Sequence, residues 1–481
     1  MVEATADPRA LESDRGGIAG HPRGLTTLFF TELWERFSYY GMRALLILFM
    51  VAPADQGGLA MDAKRAAAIY GLYTFSVYFT SIPGGWIADR LLGQRYAVLV
   101  GGILIAIGHF SMALNVLPLF YAGLVIIVLG TGLLKPNISS IVGQLYAKDD
   151  PRRDAGFSIF YMGINLGAFI APLICGYLGQ KIGWHWGFGA AGIGMTLGVV
   201  QFMMGKSRLG GAGELREVPT NAPTLWAGVG LSLLATAVAL YFLFDYKLIL
   251  VVVAAAGFFV YLASQTASGV ERKRVLAIMV LFVFASLFWA GFEQAGSSLN
   301  LFADRVTRTS IFGWSFPSSW FQSVQPMFII LLAPVFAALW VSMGAKEPSS
   351  PAKFAYGLLF VGLGFLILVP AASMFESTGG RVSPMWLVAL YFLHTVGELA
   401  LSPVGLSTVT KLAPERMVGS MMGVWFLSIA LGNLIGGEVA GYFETFPLPR
   451  LFFIVFATAA ASAVALALLV KPIRRMMSGV H

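Results

Sequence analysis

Long apolar runs recur along almost the whole of this 481-residue chain, and they constrain its fold more than any other feature. A helix that crosses a bilayer needs roughly 20 mostly apolar residues. The sequence predicts about fourteen such helices, at 25–51, 66–89, 96–115, 117–140, 154–178, 184–204, 222–244, 248–269, 274–303, 319–343, 354–375, 384–410, 417–442 and 449–471. We therefore expect an all-α polytopic membrane protein.

Composition excludes a soluble enzyme. Only 12% of the residues are charged and 57% are hydrophobic, whereas ordinary soluble domains carry about 25% charged residues. The single cysteine, Cys175, excludes a disulfide framework and a CxxC metal cluster. The net charge of +8 comes from short basic clusters between apolar runs, with no long basic block that could follow a phosphate backbone, so nucleic acid is not an expected partner.

The placement of the basic residues predicts the orientation in the membrane. Most of the 32 Lys and Arg residues fall on the predicted side that also holds both chain ends. Because basic loops stay in the cytoplasm, both termini are expected there. The first 24 residues lack an apolar core, so we expect a cytoplasmic tail and not a signal peptide.

The order of the apolar runs predicts two six-helix halves with an insertion between them. The seventh and eighth runs hold almost no polar residues apart from Ser and Thr, and they follow a Gly-rich, charged linker. The expected organisation is a tail at 1–24, an N-terminal bundle at 25–204, a linker at 205–221, an inserted hairpin at 222–269, a C-terminal bundle at 270–471 and a tail at 472–481.

The first helix carries ionisable residues that are costly within a bilayer. At about 100° per residue, six polar side chains fall within an arc of about 140°. They are Glu32, Glu35, Arg36, Tyr39, Tyr40 and Arg43. A single Glu–Arg pair would be explained by a salt bridge that locks two helices. Two carboxylates, two guanidiniums and two tyrosines on one stripe favour a functional site that faces a bundle interior or a water-filled cavity.

Three later runs add matching charges. Lys135 lies late in the fourth run, Glu293 follows Trp289 in the ninth, and Glu398 lies in the middle of the twelfth. Together with the first helix they give three buried cations against four buried carboxylates. One surplus carboxylate suits a proton-carrying site, because an acid can be protonated there without leaving a cation unpaired.

Residues 84–95 carry Asp89, Arg90 and Gly93 between two apolar runs. An acid, a base and a glycine in a tight turn predict a charged latch against neighbouring helix ends. The alternative is a solvated turn with surface ion pairs of little energetic value.

Three motifs resemble those of known transporters. Gly85-x-x-x-Asp89-Arg90-x-x-Gly93-x-Arg95 resembles the cytoplasmic loop motif of the major facilitator superfamily. Two others are similar to signatures of the proton-dependent oligopeptide transporter family: Glu32-x-x-Glu35-Arg36-Phe37-x-Tyr39-Tyr40-Gly41 and Phe160-Tyr161-Met162-Gly163-Ile164-Asn165-Leu166-Gly167. The resemblance covers nearly the whole chain. It implies the major facilitator fold, with the two-helix insertion of bacterial members.

The resemblance also implies roles for individual residues. Proton coupling would involve Glu32, Glu35, Arg36, Lys135 and Glu293. Peptide binding would involve Arg43, Tyr40, Tyr78, Lys135, Asn165, Trp289, Glu293, Gln325, Glu398 and Trp425. Gating would involve an Arg43–Glu293 pair near the outer gate, a Lys135–Glu398 pair near the inner gate, and Asp89 with Arg90.

The chain departs from the family pattern at two positions. Gln325 precedes Pro326 where the family often has asparagine, which lengthens the reach of the amide by a methylene. Position 71 is glycine where animal relatives carry a histidine, so the carboxylates would have to carry the proton.

The expected function is proton-coupled import of di- and tripeptides by alternating access. Glu398 suits a peptide amine, whereas Arg43 and Lys135 suit its carboxylate. A proton-coupled carrier of drugs or other small organic solutes is the main alternative, and a peptide receptor that moves no protons is another. A membrane-embedded enzyme is disfavoured, because the chain has no HExxH or GxSxG motif.

The expected partners are small peptides, protons and membrane lipid, with no metal or cofactor. We expect a monomer in the bacterial cytoplasmic (inner) membrane.

Overall fold

The computed structural model describes residues 14–147, 150–215, 219–414 and 417–478, and these are helical almost throughout. The first part of the chain forms α1 (Arg23–Val51), α2 (Ala63–Phe79), α3 (Ser81–Ile87), α4 (Gln94–Ala113), α5 (Leu117–Gln144), α6 (Arg153–Tyr177) and α7 (Trp184–Gly205). Two helices follow, α8 (Ala222–Leu243) and α9 (Lys247–Ser264). The rest forms α10 (Gly269–Phe292), α11 (Ser298–Arg305), α12 (Val324–Met343), α13 (Ser350–Thr378), α14 (Met385–Leu412), α15 (Val418–Ala440) and α16 (Leu448–Met476).

Shorter elements join these helices. Single turns or short helical segments occupy Ile18–Gly20, Ala54–Gln56, Ala88–Leu92, Leu178–Ile182, Lys206–Leu209, Phe244–Tyr246, Glu293–Gly296, Ser318–Ser323 and Gly344–Lys346. Two short strands, β1 (Ser310–Ile311) and β2 (Trp314–Ser315), pair antiparallel after α11. Because α2 and α3 follow one another almost without a break, and α10 continues into α11, the described chain forms fourteen helical rods. The predicted all-α architecture is confirmed.

Most of the rods have the length and hydropathy of a membrane span. Eleven helices of the described chain meet both conditions. α1 does not, although it has 29 residues, because Glu32, Glu35, Arg36 and Arg43 lie along it. The helix with the most ionisable groups is also deeply buried, with all four of these side chains inside the protein. The surrounding helices therefore shield α1 from lipid, which makes its charges tolerable.

The helices pack as two bundles and an attached hairpin. α1 lies against α6 and α7, and α4 lies against α5 and α7. In the second bundle α13 lies against α14 and α16, and α10 lies against α15 and α16. The bundles meet along α2 with α15 and along α6 with α12 and the Ser318–Ser323 segment, whereas α9 of the hairpin contacts α10 and α15.

The contact between α2 and α15 depends on two glycines. A Cβ atom on Gly71 would lie 2.9 Å from the Cα of Gly437, and one on Gly437 would lie 2.7 Å from the Cα of Gly71. Small residues allow helix backbones to approach closely in a membrane. A histidine at position 71 could not be placed here without separating the two helices.

Two details differ from the sequence-based expectation. Residues 84–95 were expected to form a tight turn, but the chain is helical up to Leu92, and Gly93 alone turns it, with φ of 77°. The predicted run 274–303 is interrupted at Glu293–Gly296, where α10 gives way to α11. A hydropathy pattern does not reveal such a break, because the residues on both sides remain apolar.

Candidate functional site

The polar stripe of α1 forms a compact ion cluster. The Arg36 Nε lies 3.2 Å from Glu32 Oε1, and the guanidinium also binds Glu35 through Nε and through Nη2, the latter at 2.5 Å. All three side chains are at least 96% buried. Glu32 Oε2 has no hydrogen-bond partner among the described residues. One guanidinium thus serves two carboxylates, which leaves an acceptor free to take a proton.

Lys135 faces an aromatic ring. Its Nζ lies 3.8 Å from the centroid of the Tyr78 ring, a cation–π contact. Within the described part of the chain it forms no ion pair, so the Lys135–Glu398 pair expected from the sequence is not made in this conformation. Glu398 Oε2 instead accepts a hydrogen bond from Gln325 Nε2 at 2.5 Å. Glu398 is therefore satisfied by α12, within its own bundle.

Arg43 joins the two bundles. Its Nη2 lies 2.6 Å from Glu293 Oε2 and 3.3 Å from the Glu293 carbonyl oxygen, at the break between α10 and α11. Its Nε donates to Tyr70 Oη at 2.6 Å. Both charged side chains are about 6% exposed. Tyr70 fixes the guanidinium from α2 while Glu293 holds it from the other bundle.

Sequence reasoning missed Tyr70. Its hydroxyl occupies the space that a side chain at Gly296 would need, since a Cβ there would lie 1.8 Å from it. The only signal was a tyrosine within the apolar run of α2, and such a residue is equally typical of core packing.

The predicted aromatic side chains are in different surroundings. The Tyr40 ring lies 5.8 Å from the Arg43 guanidinium carbon. Trp289 is buried, and its Nε1 has no hydrogen-bond partner among the described residues. Trp425 packs edge-on against Phe354, with ring centroids 6.3 Å apart.

A large cavity opens at one end of the two bundles. It has a volume of about 1320 Å³ and separates α6 from α12 and α14. Its lining includes Tyr161, Asn165, Ile329, Trp340, Pro403 and Lys411. We name this the open end; it is the end where α1 begins and α16 finishes. The Asn165 side-chain N–H donates to the Tyr161 carbonyl at 3.0 Å.

The opposite end, where α1 finishes and α2 begins, is closed. The Arg43–Glu293 pair and the glycine contact between α2 and α15 both lie on this side of the cavity. We name it the closed end. The structure therefore joins the two bundles at one end and parts them at the other.

Comparison with known proteins gives the family. The family model described as the POT family matches residues 95–452. The chain is 44% identical to the peptide transporter YePEPT of Yersinia enterocolitica, over 95% of this chain and 96% of that one. It is 38% identical to the di-/tripeptide transporter of Lactococcus lactis subsp. cremoris, over 96% and 98% of the two chains.

The chain belongs to the POT family. A crystal structure of a peptide transporter POT in complex with sulfate superimposes with a TM-score of 0.91 at 43% identity, covering 98% of this chain and all of that one. The POT family is a transporter family, and its major facilitator fold is the one that the motifs implied.

The loop motif at residues 85–95 of this POT chain was expected to contact neighbouring helix ends through Asp89 and Arg90, but it makes other contacts. Asp89 accepts a hydrogen bond from Gln94 at 2.9 Å, and Arg90 lies over the Trp86 ring at 5.5 Å. Arg95 instead reaches the linker, where its Nε donates to the Ala212 carbonyl at 2.5 Å. Among the described residues, the contacts of Asp89 and Arg90 lie within residues 86–94. In this conformation Arg95 is the motif residue that binds the linker.

Proposed function

We propose that this POT-family chain is a proton-coupled symporter that imports di- and tripeptides by alternating access. The observation that carries the proposal is the buried Arg43–Glu293 pair between the two bundles. A proton can neutralise Glu293, and a peptide carboxylate can then replace it on Arg43. The printed names of the relatives, which are peptide and di-/tripeptide transporters, support the same substrate class.

The site offers groups for the features that all short peptides share. A free peptide has an amine at one end and a carboxylate at the other. The Arg43 fork suits the carboxylate, since guanidinium binds carboxylates bidentately. Glu398 can exchange the Gln325 amide for a peptide amine, and Asn165 can meet a backbone amide. Variable side chains then face the aromatic groups and the wide cavity, so many sequences are accepted.

The proton acts by competition for Arg43. While Glu293 is ionised, it holds Arg43 and keeps the bundles together at the closed end. Protonation removes the charge from Glu293 and frees the guanidinium for substrate. The α1 cluster of Glu32, Glu35 and Arg36 provides further acceptors in the same interior. In the opposite conformation Lys135 leaves the Tyr78 ring and pairs with Glu398.

The basic residues near the open end, among them Lys353, Lys411 and Arg474, support an orientation with this end in the cytoplasm. We propose that this end and both termini face the cytoplasm, and that the closed end lies at the outer face of the bacterial inner membrane. The conformation is then inward-open. The bundles 25–204 and 270–471 would rock as two units, in a monomer that needs no cofactor and catalyses no chemical reaction.

The first test is uptake of labelled dialanine into proteoliposomes under an inward proton gradient. Gradient-driven accumulation that a protonophore abolishes and unlabelled dipeptides suppress is the expected result. Absence of uptake with correctly oriented protein would contradict the peptide proposal. Gradient-driven uptake of a lipophilic cation that dipeptides do not compete with would transfer the function to drug-like solutes.

Glu293→Gln tests the coupling step. We expect loss of proton-driven accumulation with counterflow exchange retained, because Gln cannot titrate but still fits the site. The matched control is Glu438→Gln, which removes a carboxylate that pairs with Lys247 of the hairpin, 2.6 Å away and outside the site. Concentrative uptake by Glu293→Gln would refute its assigned role.

A further inference from the structure

One face of α6 near the closed end exposes main-chain carbonyls to donors from the other bundle. Ser323 Oγ donates to the Phe169 carbonyl at 2.7 Å. Trp320 Nε1 donates to the Leu173 carbonyl at 3.0 Å. These carbonyls are one helical turn apart, and both donors lie at or near the segment before α12. The C-terminal bundle thus donates hydrogen bonds to two successive turns of α6.

The same face continues to Gln180, just past α6. Its Oε1 accepts from the Ser319 backbone N–H at 3.0 Å and from Ser319 Oγ at 2.7 Å. Its Nε2 donates to Ser318 Oγ at 2.8 Å, and Ser318 Oγ in turn donates to the Asp304 carboxylate at 2.7 Å. Gly176 permits this approach, since a Cβ there would lie 2.1 Å from Ser319 Oγ. A single glutamine therefore binds the opposite bundle through both atoms of its amide.

A separate contact joins α11 to α1. Asn300 Nδ2 donates to the Ala44 carbonyl at 2.8 Å, and the Asn300 side chain is buried. Ala44 follows Arg43, so this bond lies beside the ion pair. We define the polar seam as the bonds of Asn300, Trp320 and Ser323 to main-chain carbonyls, together with the two bonds of Ser319 to Gln180 Oε1.

We propose that the polar seam is a second lock on the closed end, one that does not respond to protons, and that its residues are positioning residues that set the pH at which the carrier opens. Amide, hydroxyl and indole groups do not titrate in the physiological range. The Arg43–Glu293 lock, in contrast, weakens when Glu293 takes a proton. The pH-setting part of this inference rests on the proposed proton coupling.

Glu293 is the carboxylate whose charge the proposed coupling changes. The charged and titratable groups that act on it come from α1, α2, α5 and α14. They are Arg43, Tyr39, Tyr40, Tyr70, Tyr78, Lys135 and Glu398. The seam bonds add a constant contribution to closure at every pH, because none of them involves these groups or the nearby carboxylate of Asp304.

The direction of the effect follows from linkage. Opening must break both locks, and protonation lowers the cost of breaking only one of them. If a seam bond is lost, less protonation is needed for the same open fraction. The pH midpoint of opening therefore shifts upward. We expect about half a pH unit for each bond removed, the size of an interhelical hydrogen bond in a bilayer.

The test measures opening directly, by the distance between two spin labels at the closed end. Asp55→Cys and Arg381→Cys place one label on each bundle at exposed positions, in a Cys175→Ala background. In proteoliposomes from pH 5 to 8, the variants Ser323→Ala and Trp320→Phe each remove one donor, and the second keeps an aromatic ring at position 320. Both should raise the midpoint of the long-distance population by about half a unit.

Ser286→Ala is the matched control. Ser286 is a buried serine whose hydroxyl donates to the Phe282 carbonyl of its own helix, so its loss removes a bond within one bundle. The pH midpoint of opening in Ser286→Ala should equal that of the parent protein. Midpoints of Ser323→Ala and Trp320→Phe that coincide with Ser286→Ala would overturn the proposal, provided that thermal melting shows all three folded.

Dialanine uptake in the same vesicles separates this inference from the proposed function. If the parent shows no uptake but the seam variants still open at higher pH, the peptide-transport proposal is refuted and the seam inference is supported. If the parent transports dialanine and the seam variants do not change the distances, only the seam inference is refuted. If pH changes no distance in the parent, the pH-setting role is overturned.

Discussion

The two ends of α6 meet the C-terminal bundle in different ways. Towards the closed end its carbonyls and Gln180 accept or donate hydrogen bonds across the interface. Towards the open end the side chains of Tyr161 and Asn165 line a cavity of about 1320 Å³. The same helix is therefore bonded to its neighbour at one end and parted from it at the other.

The difference shows how a carrier keeps its polar groups satisfied while the bundles part. Near the cavity, Glu398 is held by Gln325 and Lys353 by Glu347, all within the C-terminal bundle. At the closed end the partners of Arg43, Trp320 and Ser323 belong to the opposite bundle. Because an unsatisfied buried polar group is costly, each end needs within-bundle partners ready for the state in which it opens.

Removing the charge of Arg43 should have the largest effect. Arg43→Met leaves Glu293 buried without its cation, and breaking such a pair costs roughly 3–5 kcal/mol. We expect a lower melting temperature and no dialanine uptake. The double variant Arg43→Met/Glu293→Gln should recover most of the stability without recovering uptake.

Arg305→Met provides the comparison for that prediction. Arg305 pairs with Glu444 at the same end of the molecule, and both side chains are more than a third exposed. The cost of removing it should stay below about 1 kcal/mol. If the variant Arg43→Met/Glu293→Gln is as unstable as Arg43→Met alone, the broken Arg43–Glu293 pair does not explain the loss of stability.

We expect a smaller effect at the contact between Gly71 of α2 and Gly437 of α15, which helps to hold the closed end together. Gly71→Ala places a methyl group 2.9 Å from the Gly437 Cα, whereas Gly423→Ala meets Ile82 at an ordinary 3.7 Å. We expect about 1–3 kcal/mol of destabilisation for the first and little change for the second. Spin labels at Asp55→Cys and Arg381→Cys should show more opening with Gly71→Ala only. Equal effects of the two alanines on melting and distance would contradict the close packing of α2 and α15.

The smallest effect concerns the segment that precedes α1 at the open end. His21 Nδ1 lies 2.8 Å from Tyr146 Oη. Burial lowers the pKa of His21 from its ordinary 6.5, and the nearby Arg152 lowers it further. A lowered pKa means that the folded segment prefers neutral histidine. Its stability is therefore complete above about pH 6.5 and decreases as the pH falls below that value.

Hydrogen exchange measures this change. Protection of the His21 amide, which donates to the Ile18 carbonyl, should fall modestly between pH 7.5 and 5.5. His21→Phe should remove this dependence, while His185→Phe, an exposed histidine at the closed end, should leave it intact. Unchanged protection in the parent over this range would refute the prediction.

The sequence predicted the rods and the α1 stripe well, because both follow from local periodicity. The run at 25–51 and its six polar residues correspond closely to α1. The pairing of the charges was harder to predict. Arg43 and Glu293 are within 2.6 Å, as the family resemblance implied, but Lys135 contacts Tyr78 and Glu398 contacts Gln325. A carrier has two sets of partners, and a sequence does not specify which set one conformation uses.

The polar seam was not foreseen, for a different reason. Ser319, Trp320 and Ser323 read as the polar start of an apolar run, and their acceptors are main-chain carbonyls that every residue possesses. Hydropathy and helical period, which are local properties, thus determined that this chain crosses a membrane with a charged helix at its centre. The tertiary structure alone decided which end is closed, because closure depends on contacts between residues more than a hundred positions apart.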